Sequence, residues 1–375
     1  MKHNFSLTLL FLWLFMCRSF ASGLITSNPS PKTDVLYANL KKIARTNIMF
    51  GHHDTNHYGH SWSNEPNRSD VKDVCGSYPA IYGHDFSSIT NLTIPNEQRQ
   101  EEEKKLRECI IDAYNRGGIN TISWHLNSPV NGGSFYYNEN PVETVAQILP
   151  GGKFHDVYKN ILCIIGSFAN QLKDDFGDLI PIIFRPYHEC DGDWFWWGTP
   201  YHCTHTQFRN LWKFTIDFLR NTMGVTNFIY AFSPDCRFTS SQEYLSYYPG
   251  DNYVDIIGMD NYWDLNPQGG KITDFIKKIK IISDLAASHH KIAALTETGR
   301  EGIPDRYWWT KTLLPLLKVN QVQISYLMVW RNAYQSENHF YAPFPGQVSA
   351  DDFIKFRNDG YILFEDDLPD MYTLQ

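Results

Sequence analysis

Short apolar runs and longer amphipathic stretches alternate along most of the chain. The apolar runs occupy 47–51, 79–83, 119–124, 180–185, 228–232, 254–258, 292–297 and 325–330, and each stops at polar or aromatic residues. Runs of this length between breakers read as strands. They look apolar on both faces, as buried parallel strands do. Helical patterns lie between them. A first helix is expected over 33–45, capped by Thr33. Others are expected at 97–116, 155–176, 206–222, 273–288 and 305–319. Within 155–176 the apolar residues Val157, Ile161, Ile164, Ile165, Phe168 and Leu172 recur at helical spacing.

Strand-like runs alternating with helices predict parallel βα units. Two α/β architectures fit, a closed (β/α)8 TIM barrel and an open doubly wound sheet. Count and length favour the barrel. An open sheet would carry a glycine-rich phosphate loop after its first strand, and Phe50-Gly-His-His-Asp-Thr-Asn56 has no GxGxxG. Two insertions, 52–77 and 125–152, follow strand-like runs and are expected as long loops over the catalytic face. No internal repeat, low-complexity tract or domain boundary is visible inside 30–370, so 34–370 reads as one domain.

The first residues are of another kind. Lys2 and His3 precede an apolar run from Phe5 to Met16, and Ser19-Phe-Ala21 supplies a small-x-small cleavage site. Residues 1–21 therefore read as a secretory signal, too short in its apolar part for a stable span. A short linker, 22–33, follows. The expected address is periplasmic or secreted, with lipid anchoring through Cys17 the less favoured alternative. No second long apolar run exists, so no integral membrane segment is expected in the mature chain.

Composition narrows the partners. The formal net charge is −8 with no basic tract, which argues against nucleic acid. Aromatic residues are 15% of the chain, and rings with polar edges suit flat sugar faces as well as cores. Removing the signal leaves Cys75, Cys109, Cys163, Cys190, Cys203 and Cys236, widely spaced and without Cys-x-x-Cys. Small buried hydrophobes are the expected role of Cys109 and Cys163, and a Cys190–Cys203 bridge stays open. No cofactor is expected, and a monomer is.

The candidate chemistry sits at the strand ends. The fourth run ends in Arg185, His188 and Glu189, followed by Trp194, Phe195, Trp196 and Trp197. The seventh ends at Glu297. Strands four and seven face each other across a barrel mouth, where two carboxyls approach to about 5 Å, the separation of a retaining glycosidase. That chemistry needs one carboxyl protonated for the leaving oxygen and one ionised to attack the anomeric carbon. Aromatic cover raises a carboxyl's pKa, so Glu189 is the better acid. Glu297 is then the nucleophile, with Tyr262 a candidate donor to it. Metal ligation by His52, His53 and Asp54 is disfavoured, because adjacent strand residues face opposite ways. Gly166-Ser167 lacks the second glycine of a serine-hydrolase elbow. Trp196 and Trp197 are balanced between core and sugar platform.

From Arg185-Pro-Tyr-His-Glu189 through Asp193-Trp-Phe-Trp-Trp-Gly198 the sequence resembles glycoside hydrolase family 26, mainly β-mannanases. Phe50-Gly-His-His-Asp54, Ser123-Trp-His-Leu-Asn-Ser-Pro129, Asp260-Asn-Tyr262, Leu295-Thr-Glu-Thr-Gly299 and Val329-Trp-Arg331 extend the resemblance over nearly all of the mature chain. It implies a (β/α)8 enzyme with Glu189 as acid/base and Glu297 as nucleophile. His125, Arg185 and His188 would line the site, Trp194 and Trp330 would stack on sugars, and Tyr262 would bond the nucleophile. One departure is Cys190-Asp191, where much of the family has Met-Asn. The implied substrate is a β-mannan or manno-oligosaccharide. The alternatives are another β-glycan, such as mixed-linkage glucan or β-1,3-xylan, and a non-catalytic glycan-binding protein. Retention of both glutamates argues against the last. Endo and exo action stay open.

Overall fold

The computed structural model describes residues 23–319 and 322–374. The expected signal at 1–21, Cys17 included, lies outside the described residues. The main strands are β1 (Ile48–His53), β2 (Ile81–Asp85), β3 (Ile119–Trp124), β4 (Ile182–Pro186), β5 (Phe228–Phe232), β6 (Ile256–Asn261), β7 (Ile292–Thr298) and β8 (Tyr326–Val329). Each pairs in parallel with the next. β8 returns to β1 with Met49 opposite Tyr326 and His52 opposite Val329. The sheet is therefore a closed (β/α)8 barrel, and the open alternative falls.

Several strands run further toward their polar ends than the hydropathy pattern implies. β1 takes in His52 and His53, and β6 reaches Asn261. Backbone pairing continues through polar residues when their side chains have partners at the mouth, and hydropathy does not register backbone bonds. The first helix, Pro31–Ile43, begins two residues before Thr33. Proline's fixed φ suits a first helical position. Thr33 is instead buried inside the first turn, 2.7 Å from the Ser30 hydroxyl. The helix expected over 155–176 ends at Gln171, where Leu172 turns extended and Lys173 pairs with Leu179. Insertion 52–77 carries its own structure, a small hairpin (Tyr58–Gly59 with Trp62–Ser63) and a helix, Asp70–Cys75.

Alternate strand residues divide the core in two. Ile48, Phe50, Ile122, Phe184, Phe228, Ile257 and Leu327 point outward into the layer of helices. Met49, Ile81, Ile119, Ile183, Ile229, Ile256, Ile292 and Tyr326 fill the barrel's lower interior. Leu36, Tyr37, Leu40 and Ile43 of the first helix join that inner cluster and close the bottom. The Tyr37 hydroxyl donates to the Asp255 carbonyl at 2.9 Å. Higher up, the inward residues turn polar, and these build the site. All six described cysteines are free, so the open Cys190–Cys203 bridge is not formed.

Candidate active site

β4 delivers the first group of side chains. Arg185 points inward and is buried. Tyr187 and Glu189 then take positive φ of 49° and 54°. Non-glycine residues rarely adopt this conformation, and it clusters where function requires it. The Glu189 amide is held by the Ser233 carbonyl at 2.8 Å. The zigzag sends Tyr187 outward to Thr215, 3.0 Å away, and leaves His188 and Glu189 at the mouth.

β7 delivers Glu297 by another device. Leu295 pairs with Met259, and the next pair is Glu297 with Asp260. Against β8, Leu295 pairs with Leu327 and Thr298 with Val329. Thr296 is therefore an extra residue, a β-bulge that resets the alternation. If the alternation ran unbroken through Thr296, Glu297 would face the helices. The Thr296 hydroxyl lies 2.7 Å from Asp260 Oδ1 and 2.9 Å from the Met259 carbonyl.

One oxygen each from Glu189, Asp260 and Glu297 lie within 4.8 Å of one another. Arg185 sits among them as counter-charge. Its Nη1 donates to Asp260 at 2.7 Å and to Ser233 at 3.0 Å, and its Nη2 donates to Glu297. Tyr262 donates to the other Glu297 oxygen at 2.8 Å. Glu297 thus has a donor on each oxygen, one of them cationic. Glu189 has one neutral donor, Trp194 Nε1 at 2.6 Å. Burial pushes the Glu189 carboxyl well above the usual range, and the charges of Asp260, Glu297 and Asp235 push the same way.

The remaining expected residues gather round this pair. His125 bonds Asp85 through Nδ1 at 2.6 Å, and its ring lies 4.6 Å from that of His188. His188 is buried, and desolvation followed by Arg185, His125 and His53 holds its imidazole far below the usual range, hence neutral. Trp330 follows β8 and lies 4.2 Å from the His53 ring. Trp194 serves as donor to Glu189, with Arg237 over its ring at 4.9 Å. Trp196 and Trp197 are fully buried, donating to the Leu126 and His188 carbonyls, which makes them core. His53 faces inward and His52 packs outward against Thr55, Nδ1 to Oγ1 3.0 Å. His53 Nδ1 faces Asp54 at 2.8 Å and Nε2 faces the His84 carbonyl at 3.1 Å. Acceptors at both nitrogens fit an imidazolium, in line with a pKa that Asp54 raises despite burial.

Two site residues carried no role in the sequence reading. Asp260 anchors Arg185, and Asp85 anchors His125. Both stand at strand ends, which is the signal they offered. The departure at Asp191 also has a use. Its carboxylate accepts the Asp235 amide at 2.6 Å and the Arg237 amide at 3.2 Å, tying the β4 loop to the β5 loop.

A closed parallel barrel with paired carboxyls at the C-terminal ends of β4 and β7 is the arrangement of a (β/α)8 glycoside hydrolase. The chain belongs to glycosyl hydrolase family 26, whose profile matches residues 25–351. It is 41% identical to a family 26 beta-mannanase from Bacteroides ovatus, with a TM-score of 0.85 covering 92% of this chain and 98% of that one. A family 26 structure from a Muricauda species is 39% identical, with a TM-score of 0.89 covering 94% and 96%. A mannan endo-1,4-beta-mannosidase from Bifidobacterium adolescentis is 32% identical over 350 residues, 88% of this chain, and this chain spans 34% of that relative's length.

Proposed function

We propose that the protein is a retaining β-mannanase that cleaves β-1,4-mannosidic bonds within a chain. The observation that carries this reading is the contrast between two carboxyls within 4.8 Å of each other. Glu189, desolvated and crowded by like charge, supplies a proton to the departing glycosidic oxygen. Glu297, held by Arg185 and Tyr262, attacks the anomeric carbon as that bond breaks, giving a glycosyl ester. Glu189, now ionised, takes a proton from water, which attacks the same carbon and releases Glu297. His188, neutral, and His125, oriented by Asp85, offer hydrogen bonds to sugar hydroxyls, and Trp330 offers a ring face.

Mannan as substrate is supported by the mannanases among the similar proteins. Cleavage within chains is supported by cavities on either side of Glu297 around the rim. One is lined by Tyr262 and Trp263, the other by Arg331 and Tyr334. The test compares mannan with mixed-linkage glucan and β-1,3-xylan, following products over time. An early ladder from mannan is expected. Disaccharide alone would overturn the endo reading, and preference for another polymer the mannan reading. Glu297→Ala is expected to abolish turnover of every substrate. Glu189→Ala should spare aryl mannosides with very good leaving groups, which need no proton. Equal loss on both substrate classes would overturn the role assignment.

We further propose export of a monomer, with the signal removed after Ala21. The charged, apolar and small-residue order of residues 1–21 supports the export. Among the described residues no helix is long and apolar enough to cross a membrane. N-terminal sequencing of the mature protein should begin at Ser22. A lipid-modified Cys17 or a retained Met1 would overturn it.

A further inference from the structure

The loops after β5 and β6 enclose a cavity of 800 Å³ whose lining includes Trp194, Asp235, Arg237, Tyr262, Trp263 and Lys278. Its inner end is marked by Trp194 and Tyr262, the donors to Glu189 and Glu297. Trp263 touches neither carboxyl and stands further out. The residue is 59% exposed, a large apolar surface left in water.

The turn beneath that ring is built to hold it. The Gly270 amide donates to the Trp263 carbonyl at 2.8 Å, and the Asn266 amide does so at 3.2 Å. A Cβ at Gly269 would lie 2.4 Å from that carbonyl and 3.0 Å from the indole, and one at Gly270 would lie 2.1 Å from Asp264 Oδ1. The glycine backbone therefore rests against the indole, which only residues without a side chain permit. Below, Asp264 accepts from Lys278 at 2.7 Å and from Asn261 at 2.9 Å, both in the interior. A buried ion pair is seldom a net gain in stability, and this one fixes the turn. The result is a backed aromatic platform with an open side, ringed by Asp235, Arg237 and Asn266.

We propose that this cavity binds the leaving-group portion of the substrate beyond the first departing sugar, with Trp263 stacking on a pyranose ring. The inference rests on the glycosidase reading above. Direction follows from chemistry. Glu189 protonates the departing oxygen, and the cavity wall is tied to its loop: Trp194 bonds Glu189, Arg237 lies over the Trp194 ring at 4.9 Å, and Asp191 accepts from the Asp235 and Arg237 amides. An aromatic face within a polar rim is what a pyranose presents surfaces to, apolar on its ring face and hydroxylated at its edge.

The test uses the full-length enzyme and two substrates. Mannopentaose reaches past the first departing position, whereas an aryl β-mannobioside ends there. Trp263→Ala is expected to lower kcat/KM on mannopentaose about tenfold relative to the aryl substrate, the size of one lost stacking contact. Trp263→Phe should fall between. An unchanged ratio, whether because neither substrate responds or because both fall together, would overturn the proposal. In that case an active wild type leaves the glycosidase reading standing. A wild type inert on both substrates would overturn that reading and this one with it.

Discussion

Glu189 and Glu297 are the same residue type, and only their neighbours separate the roles proposed for them. Removing one neighbour should move one role. Asp260 is the foremost charge raising the Glu189 pKa. In Asp260→Asn that negative charge is gone, so the Glu189 carboxylate becomes easier to form and its pKa falls. The acid is then lost at lower pH. The alkaline limb of kcat/KM on mannan should shift toward acid in this variant, and a limb that stays put would mean another group controls it. The same scale explains what the residue list alone left open. What His53 Nε2 meets, and whether a tryptophan is platform or core, depend on atoms far away in sequence. Trp194 and Trp197 are three positions apart, yet one bonds Glu189 and the other is sealed in the core.

The bulge in β7 is the element that brings Glu297 to the same side as Glu189 and Asp260. Thr296 occupies the extra position, and its hydroxyl bridges to Asp260. Thr296→Val keeps the shape and removes that donor, leaving Asp260 Oδ1 short of a partner in the interior. A stability loss of about 1–3 kcal/mol is expected from the denaturation midpoint. The fall in kcat should exceed any rise in KM, because Asp260 and Arg185 position Glu297 rather than bind sugar. Unchanged stability and kinetics would show that backbone pairing alone sets the bulge. The strand itself was legible in Ile292-Ala-Ala-Leu-Thr, but its bulge was not. Alternation predicts a face only within an unbroken register, and register is a property of pairs of strands.

At the scale of the whole molecule the barrel is divided along its axis. The lower interior is apolar and stoppered by Pro31–Ile43, and the upper interior carries the acids, histidines and Arg185. Stability and chemistry should therefore separate under mutation. Leu40→Ala, fully buried in the stopper, is expected to cost about 2–5 kcal/mol in unfolding while kcat and KM on mannan hold at temperatures where the variant stays folded. A matching loss of kcat would show that the two ends are coupled.

Sequence alone determined the alternation of strands and helices, the barrel class and the pairing of Glu189 with Glu297. All three rest on signals local to the chain, short apolar runs and the residues that end them. Tertiary structure decided how the chain turns inward at each critical point. It set the left-handed residues around His188, the bulge at Thr296, the burial of Trp196 and Trp197, and the anchoring of Arg185 by Asp260. Each is a contact between segments far apart in the chain, and its energy exists only once the barrel has closed. Residues 180–198 pointed to Glu189, but what raises the pKa of its carboxyl comes largely from elsewhere. Burial is the largest cause, and the charges of Asp260 and Glu297 come from β6 and β7.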